Sequence, residues 1–128
     1  MEQKIEVMVV DDEFDFRKLM RIWLESKGYA VIEAPDGEAA IRMVKERVPG
    51  IMFLDLNMPG LNGMDTLARI RKIDKHLPVI IISAYLEQMG AAETKQYNIS
   101  GVFYKGEDFE KGLALLESAL RAHKKLRK

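Results

Sequence analysis

The chain contains no cysteine. Disulfides, thiolate metal sites and a cysteine nucleophile are therefore excluded, and the composition suits the cytoplasm, where the protein is expected to work. Charge of one sign is missing too: twenty Lys and Arg balance twenty Asp and Glu. Global charge thus gives no reason to expect nucleic-acid or membrane binding. No apolar run approaches the roughly 20 residues that a membrane-spanning helix needs. The opening Met1-Glu2-Gln3-Lys4-Ile5-Glu6 lacks the apolar core of a signal peptide. Repeats, low-complexity stretches and internal linkers are also lacking. What remains is a chain of 128 residues, 48% hydrophobic and 31% charged. Those proportions and that length fit one soluble globular domain over residues 1–128.

The apolar pattern switches between short continuous runs and helical spacing, the mark of βα units. Strands are expected at Ile5–Val10, Tyr29–Glu33, Ile51–Asp55, Val79–Ser83 and Ser100–Tyr104. A first helix, Phe14–Lys27, would face Phe16, Leu19, Met20 and Trp23 inward and Arg17, Lys18 and Arg21 outward, with Gly28 as its stop signal. Asp36 can cap a second helix that turns Ala40, Ile41, Val44 and Val48 inward and ends near Pro49-Gly50. A third runs Met64–Ile73. A marginal fourth spans Tyr85–Tyr97 with Gly90 inside it. The last, Asp108–His123, carries Phe109, Leu113, Leu116 and Leu120 as one stripe. Continuous apolar strands mean a sheet covered on both faces. Five right-handed βα units are too few for an eight-fold barrel, so the expected fold is an α/β, open, doubly wound parallel sheet of five strands with five helices on both faces.

The chemistry collects at one edge of that sheet. The first strand runs into Asp11-Asp12-Glu13, the third ends on Asp55, the fourth on Ser83, and the fifth leads to Lys105. Open α/β sheets bind ligands at the carboxyl ends of their strands. Adjacent carboxylates repel unless a cation offsets them, although one of the first three can equally cap the following helix. Asp55 alone reads more readily as a turn residue. Beside Asp11 and Asp12 it completes an all-oxygen set that suits a hard cation such as Mg²⁺, to which Asn57 could add its backbone carbonyl. Pro59 and Gly63 then turn the loop. A serine and a lysine at strand ends are individually ordinary, a capping hydroxyl and a solvated cation. Together with the acids they supply what phosphoryl chemistry needs, positive charge and a hydroxyl donor around the transferred oxygens.

Over essentially its whole length the chain resembles the receiver domain of two-component response regulators. The residues carrying the likeness are Asp11-Asp12, the run Asp55-Leu56-Asn57-Met58-Pro59 with Gly63, Ser83-Ala84, and Lys105. The resemblance implies the flavodoxin-like strand order 2-1-3-4-5. It implies that Asp55 accepts a phosphoryl group from a histidine of a partner kinase or phosphotransfer protein, a reaction for which a carboxylate is already ionised at neutral pH. It implies that Asp12 and Asp55 ligate Mg²⁺ directly, Asn57 through its carbonyl and Asp11 mainly through water. Lys105 would pair with Asp55 and then with the phosphoryl oxygens, and Ser83 would move inward to donate to them. The shift would bias the surface of the last two helices, where a downstream protein binds. Tyr85 falls where family members tune loss of the phosphoryl group, or else is an ordinary loop tyrosine.

Two departures stand out. Val102 occupies the usual place of a rotating aromatic, and Gly106 that of a proline. Phosphorylation is therefore a firmer expectation than aromatic switching, and a smaller or differently routed active-state change is expected. The basic end, Arg121–Lys128, is a solvated helix terminus or the start of a linker to an effector; a stand-alone regulator is slightly favoured over a fragment of a longer regulator or hybrid kinase. Two other function classes are weighed against the switch. One is a degenerate receiver acting as an interaction module, against which the intact cluster argues. The other is a phosphohydrolase, which would want a second carboxylate where Asn57 stands. A stand-alone enzyme is not expected, beyond self-phosphorylation from small donors and self-dephosphorylation.

Overall fold

The computed structural model describes residues 3–84 and 95–126, with side chains to residue 123. Strands β1 (Glu6–Val10), β2 (Ala30–Ala34), β3 (Ile51–Asp55), β4 (Val79–Ser83) and β5 (Gly101–Tyr104) form one parallel sheet in the order β2-β1-β3-β4-β5. Helices α1 (Phe14–Ser26), α2 (Gly37–Glu46), α3 (Gly63–Ile73) and α4 (Phe109–Leu126) cover it. The five-stranded α/β sheet is as expected. The helix count is not: among the described residues there are four helices, and the expected Tyr85–Tyr97 helix falls mostly outside them, with 95–96 helical and Tyr97 already in a turn. None of the described helices is long and apolar enough to cross a membrane.

Strand alternation divides the core into two layers. Met8, Val10, Met52, Leu54, Val79 and Ile81 face α2 and α3, through Ala40, Val44, Leu67 and Ile70. Val7, Val9, Phe53, Ile80, Ile82 and Phe103 face α1 and α4, through Met20, Leu24 and Leu116. Side chains of β1, β3 and β4 are buried along almost their entire length, which explains why their sequences read as unbroken apolar runs. Asp36 caps α2 as expected, accepting from Ala39 N–H at 2.8 Å.

Two inward assignments are corrected. Leu19 is 55% exposed while Arg17 is only 9% exposed. The buried arc of α1 runs from Trp23 through Met20 to Arg17, and Leu19 lies about 100° from Met20, outside it. Val48 is 42% exposed because α2 stops at Glu46. Arg47 is already extended, and Pro49 disfavours helix in the residue before it.

Arg17 is buried because Glu33 of β2 receives it. The Glu33 carboxylate takes Arg17 Nε at 2.8 Å, Lys18 Nζ at 2.8 Å and Arg21 Nη1 at 2.7 Å, tying α1 to the sheet. Burial pushes the Glu33 pKa up, but the hydrogen bonds from Lys18, Arg21 and Arg17 outweigh it and hold the carboxyl down at about 2. A depressed carboxyl stabilises the fold above its unfolded pKa, here 4.5, and that stability is lost as pH falls through about 2. Glu33→Gln is expected to cost roughly 2–3 kcal/mol at pH 7 and to flatten the acid limb between those values. Urea unfolding as a function of pH measures both; an unchanged acid limb would contradict the assignment.

Candidate functional site

The sheet register builds the site. Val10 pairs with Leu54, so the next residues on the two strands, Asp11 and Asp55, are neighbours at the carboxyl edge. Asp11, Asp12 and Asp55 each offer a carboxylate oxygen, and these oxygens lie within 4.8 Å of one another. Asp11 and Asp55 are buried and Asp12 is exposed, so the cluster opens to solvent on one side. Two like charges at that spacing repel by roughly 3 kcal/mol in an effective dielectric of about 20. Asn57, exposed, steadies the acceptor by donating its N–H to Asp55 Oδ1 at 3.1 Å.

Lys105 closes the cluster from β5. Its N–H donates to the Ser83 carbonyl at 2.8 Å, which brings the side chain back over the edge. Its ammonium lies 3.1 Å from Asp11 Oδ2 and 3.5 Å from Asp55 Oδ2, and pairs with Glu13 as well. The Phe16 ring lies beneath it, 4.8 Å from centroid to nitrogen. Burial disfavours its charge, but hydrogen bonds to Glu13 and Asp11 and the charges of Asp11 and Asp55 prevail, so its pKa rises. Ser83 is buried at the end of β4, one strand over from Asp55. The site residues expected from the sequence, Asp11, Asp12, Asp55, Asn57, Ser83 and Lys105, thus share one strand edge. Tyr85 lies outside the described residues.

The backbone around Asp55 is equally constrained. Gly63 opens α3 directly against β3: a Cβ there would strike the carbonyl oxygen of Asp55 and lie 2.7 Å from Leu56 Cα. Space, rather than a sharp turn, is what demands glycine at 63; the left-handed residue of the loop is Gly60, φ 74°. Gly106 has φ 105°, a conformation closed to the proline usual in the resembled family. Val102 packs with the α2–α3 layer and lines a surface groove of about 410 Å³ with Glu107, Lys111, Ala114 and Leu115. Phe103 is buried in the opposite layer, 6.5 Å from Phe53 between ring centroids, so it does not stand in for the missing aromatic.

Sequence reasoning missed two contributors. Glu13, 61% exposed in its side chain, is a third carboxylate on Lys105. Arg17 donates from Nη1 to the carbonyl oxygen of Asp11 at 2.6 Å. The signal for it was the charge pattern of cations at 17, 18 and 21 against the lone acid Glu33 in an otherwise apolar strand.

The donor set fits a hard divalent cation. All candidate ligands are oxygens, the cluster is open on one side, and Asp11 Oδ2 is buried with only an ion pair and no well-directed hydrogen bond on it. Without such a cation, burial raises the Asp55 pKa first and the Asp11 charge raises it further; the Asn57 N–H and Lys105 oppose them, and the result is about 7. Burial and the Asp11 charge thus hold the Asp55 carboxyl above the usual carboxylate range in the metal-free site. The sign for stability follows. Between about pH 4 and 7 the folded state keeps a proton that the unfolded chain releases, so metal-free stability declines as pH rises, and the loss is complete above 7. Asp55→Asn is expected to remove that decline and to be the more stable protein at pH 8 by a few kcal/mol, on the order of 2–4. Denaturation in chelator across pH 4–8 checks it; parallel curves would contradict the burial argument.

Comparison with known proteins agrees with this geometry. The family model of the response regulator receiver domain matches residues 7–117. The chain is 31% identical over 104 residues to sporulation initiation phosphotransferase F of Bacillus subtilis (strain 168), covering 81% of this chain and 84% of that protein. It is 32% identical over 116 residues to the transcriptional regulatory protein ZraR of Escherichia coli O157:H7, covering 91% of this chain and 26% of ZraR. Among solved structures, NtrX from Brucella abortus matches with a TM-score of 0.89 at 28% identity, over 98% of this chain and 29% of that one. A response regulator receiver domain protein from Clostridium thermocellum matches with a TM-score of 0.87 at 25% identity, over 95% and 98% of the two chains. The chain spans about a quarter to a third of the length of several relatives it matches. The chain belongs to the response regulator receiver domain family.

Proposed function

We propose that this receiver is a phosphoacceptor: Asp55 takes a phosphoryl group from a histidine of a partner kinase or phosphotransfer protein in the presence of Mg²⁺, and the modification switches a protein-binding surface. The observation that carries the reading is the Lys105 ammonium held 3.1 Å from Asp11 and 3.5 Å from Asp55 over an acid cluster open to solvent. A purely structural lysine would have no need of three carboxylates gathered at a strand edge.

In this reading Asp11, Asp12 and Asp55, with the backbone carbonyl of Asn57, would hold Mg²⁺. The bound ion supplies positive charge to the phosphoryl oxygens and favours the ionised form of Asp55. An Asp55 oxygen attacks phosphorus as the phosphorus–nitrogen bond of the phosphohistidine breaks. The electron pair leaves with the imidazole nitrogen, which takes up a proton from solution. The product is an acyl phosphate on Asp55. Lys105 then exchanges carboxylate partners for phosphoryl oxygens, and the Ser83 hydroxyl donates to one of them. Gly63 and the Asn57 N–H keep the nucleophile from drifting, which is the main task for a protein when the chemistry is positioning. Tyr85 and Val102 are the proposed tuning positions. With Val102 small and Phe103 buried away from it, the switch is proposed to run through Ser83 and the loop after β4 without a rotating aromatic. The surface it alters is placed at the last helices, where a downstream protein would bind, and residues 1–128 are read as one receiver domain.

Wild-type protein is expected to acquire hydroxylamine-labile label from acetyl phosphate only when Mg²⁺ is present, and Asp55→Asn is expected to lose it. Label that persists in Asp55→Asn, or that resists hydroxylamine, would place the chemistry elsewhere. A wild-type protein that never labels would favour a phosphorylation-independent interaction module.

A further inference from the structure

We infer that Arg17 is a positioning residue for the divalent-cation site, with Glu33 as its anchor. The inference rests on the proposed Mg²⁺ reading of the acid cluster and adds to it a pair of residues outside that cluster.

The Asp11 main chain is held from both sides. Its N–H donates to the Ala34 carbonyl at the end of β2, 3.2 Å away. Its carbonyl accepts from Arg17 Nη1 at 2.6 Å, a contact buried in the interior. The side chain is fixed as well, because Asp11 Oδ1 accepts from the Glu13 N–H at 2.8 Å. The Asp11 carbonyl belongs to the peptide that joins Asp11 to Asp12. The bond from Arg17 therefore orients the link between a buried carboxylate and the exposed one beside it. Among the described residues the Asp12 side chain makes no hydrogen bond or ion pair, so its direction depends on that peptide.

Arg17 can do this because Glu33 fixes the other edge of the guanidinium, with Nε at 2.8 Å from Oε1. A planar guanidinium bonded through two different nitrogens has little freedom left, which a lysine ammonium could not reproduce. Lys18 and Arg21 neutralise the second Glu33 oxygen. Those two cations share the anchor with Arg17, but neither has a hydrogen bond to Asp11. They serve as built-in controls.

The sign of the effect separates positioning from simple charge. Arg17 carries a positive charge near the acid cluster. If charge were its only influence, removing it would tighten cation binding, since like charges would no longer oppose each other. If it orients the Asp11–Asp12 peptide, removing it weakens binding despite the favourable change in charge. Groups that orient metal ligands typically change affinity by 10–100-fold when lost.

The test is calorimetric titration of Mg²⁺ into wild type, Arg17→Met, Lys18→Gln and Arg21→Gln, with circular dichroism and urea unfolding confirming that each is folded. Arg17→Met keeps the apolar stem, and Glu33 retains Lys18 and Arg21, so the fold has its ion pairs to fall back on. Arg17→Met is expected to bind Mg²⁺ about tenfold more weakly, while Lys18→Gln and Arg21→Gln stay within about twofold of wild type. In acetyl phosphate labelling, the Mg²⁺ concentration for half-maximal rate should rise for Arg17→Met with the rate at saturating Mg²⁺ largely kept. Unchanged or tighter binding in Arg17→Met would overturn the inference, as would equal weakening in all three variants. Should Arg17→Met fail to fold, the Glu33→Gln variant takes its place with weaker Mg²⁺ binding expected, and wild-type affinity there would be equally fatal. Absence of Mg²⁺ binding in wild type would instead remove the proposed function itself.

Discussion

The Lys105 ammonium among the carboxylates of Asp11, Glu13 and Asp55 is the interaction on which the carboxyl edge depends. A parallel sheet gathers its strand ends whether or not their side chains are compatible, and here it gathers acids. Buried Asp11 and Asp55 cannot both be ionised cheaply with only each other for company. One lysine partly compensates them. The remaining imbalance appears as an Asp55 carboxyl held at about 7 by burial and by Asp11. A site in that condition is incomplete by its own electrostatics. Its all-oxygen donor set fits a divalent cation, which would offset that repulsion and favour the ionised form of Asp55.

The rest of the fold can be understood as support for this edge. Two apolar layers bury β1, β3 and β4 so completely that the strand ends have little freedom to move. Gly63 lets α3 begin against the Asp55 backbone, where any side chain would collide. On the other flank, Glu33 and Arg17 carry the constraint from β2 across α1 to the Asp11 carbonyl. The chain departs from its family's pattern at Val102, in β5, and at Gly106, directly after Lys105. Val102 lines a surface groove with Glu107, Lys111, Ala114 and Leu115, and Gly106 adopts a left-handed conformation.

Much of this was legible in the sequence because it rests on two strong signals. Continuous apolar runs specify a sheet buried on both faces, and the position of the acids, Ser83 and Lys105 at the ends of those runs puts them together once the strands are parallel. β3 and β4 matched their expected limits residue for residue. Strand order came from family resemblance, since periodicity does not choose neighbours. The failures have specific physical causes. Arg17 was read as outward because an arginine on a helix usually is, and only the tertiary proximity of Glu33 makes its burial favourable. Leu19 was placed on the inward face with Phe16, Met20 and Trp23, although it lies beyond the buried arc. Val48 looked helical by spacing, but the proline after it ends the helix earlier. The role of Gly63 was misread because sequence reports that glycine is needed without saying whether conformation or space demands it. Nor does sequence report that burial beside Asp11 raises the Asp55 pKa.

The most direct test is to find where the phosphoryl group resides. Protein incubated with acetyl phosphate and Mg²⁺, then reduced with borohydride, converts an aspartyl phosphate to homoserine, and peptide mass mapping locates the converted residue. Conversion at Asp55, dependent on Mg²⁺, is the expected result. Conversion at Asp11, Asp12 or any other residue, or none under conditions where Mg²⁺ demonstrably binds, would contradict the account.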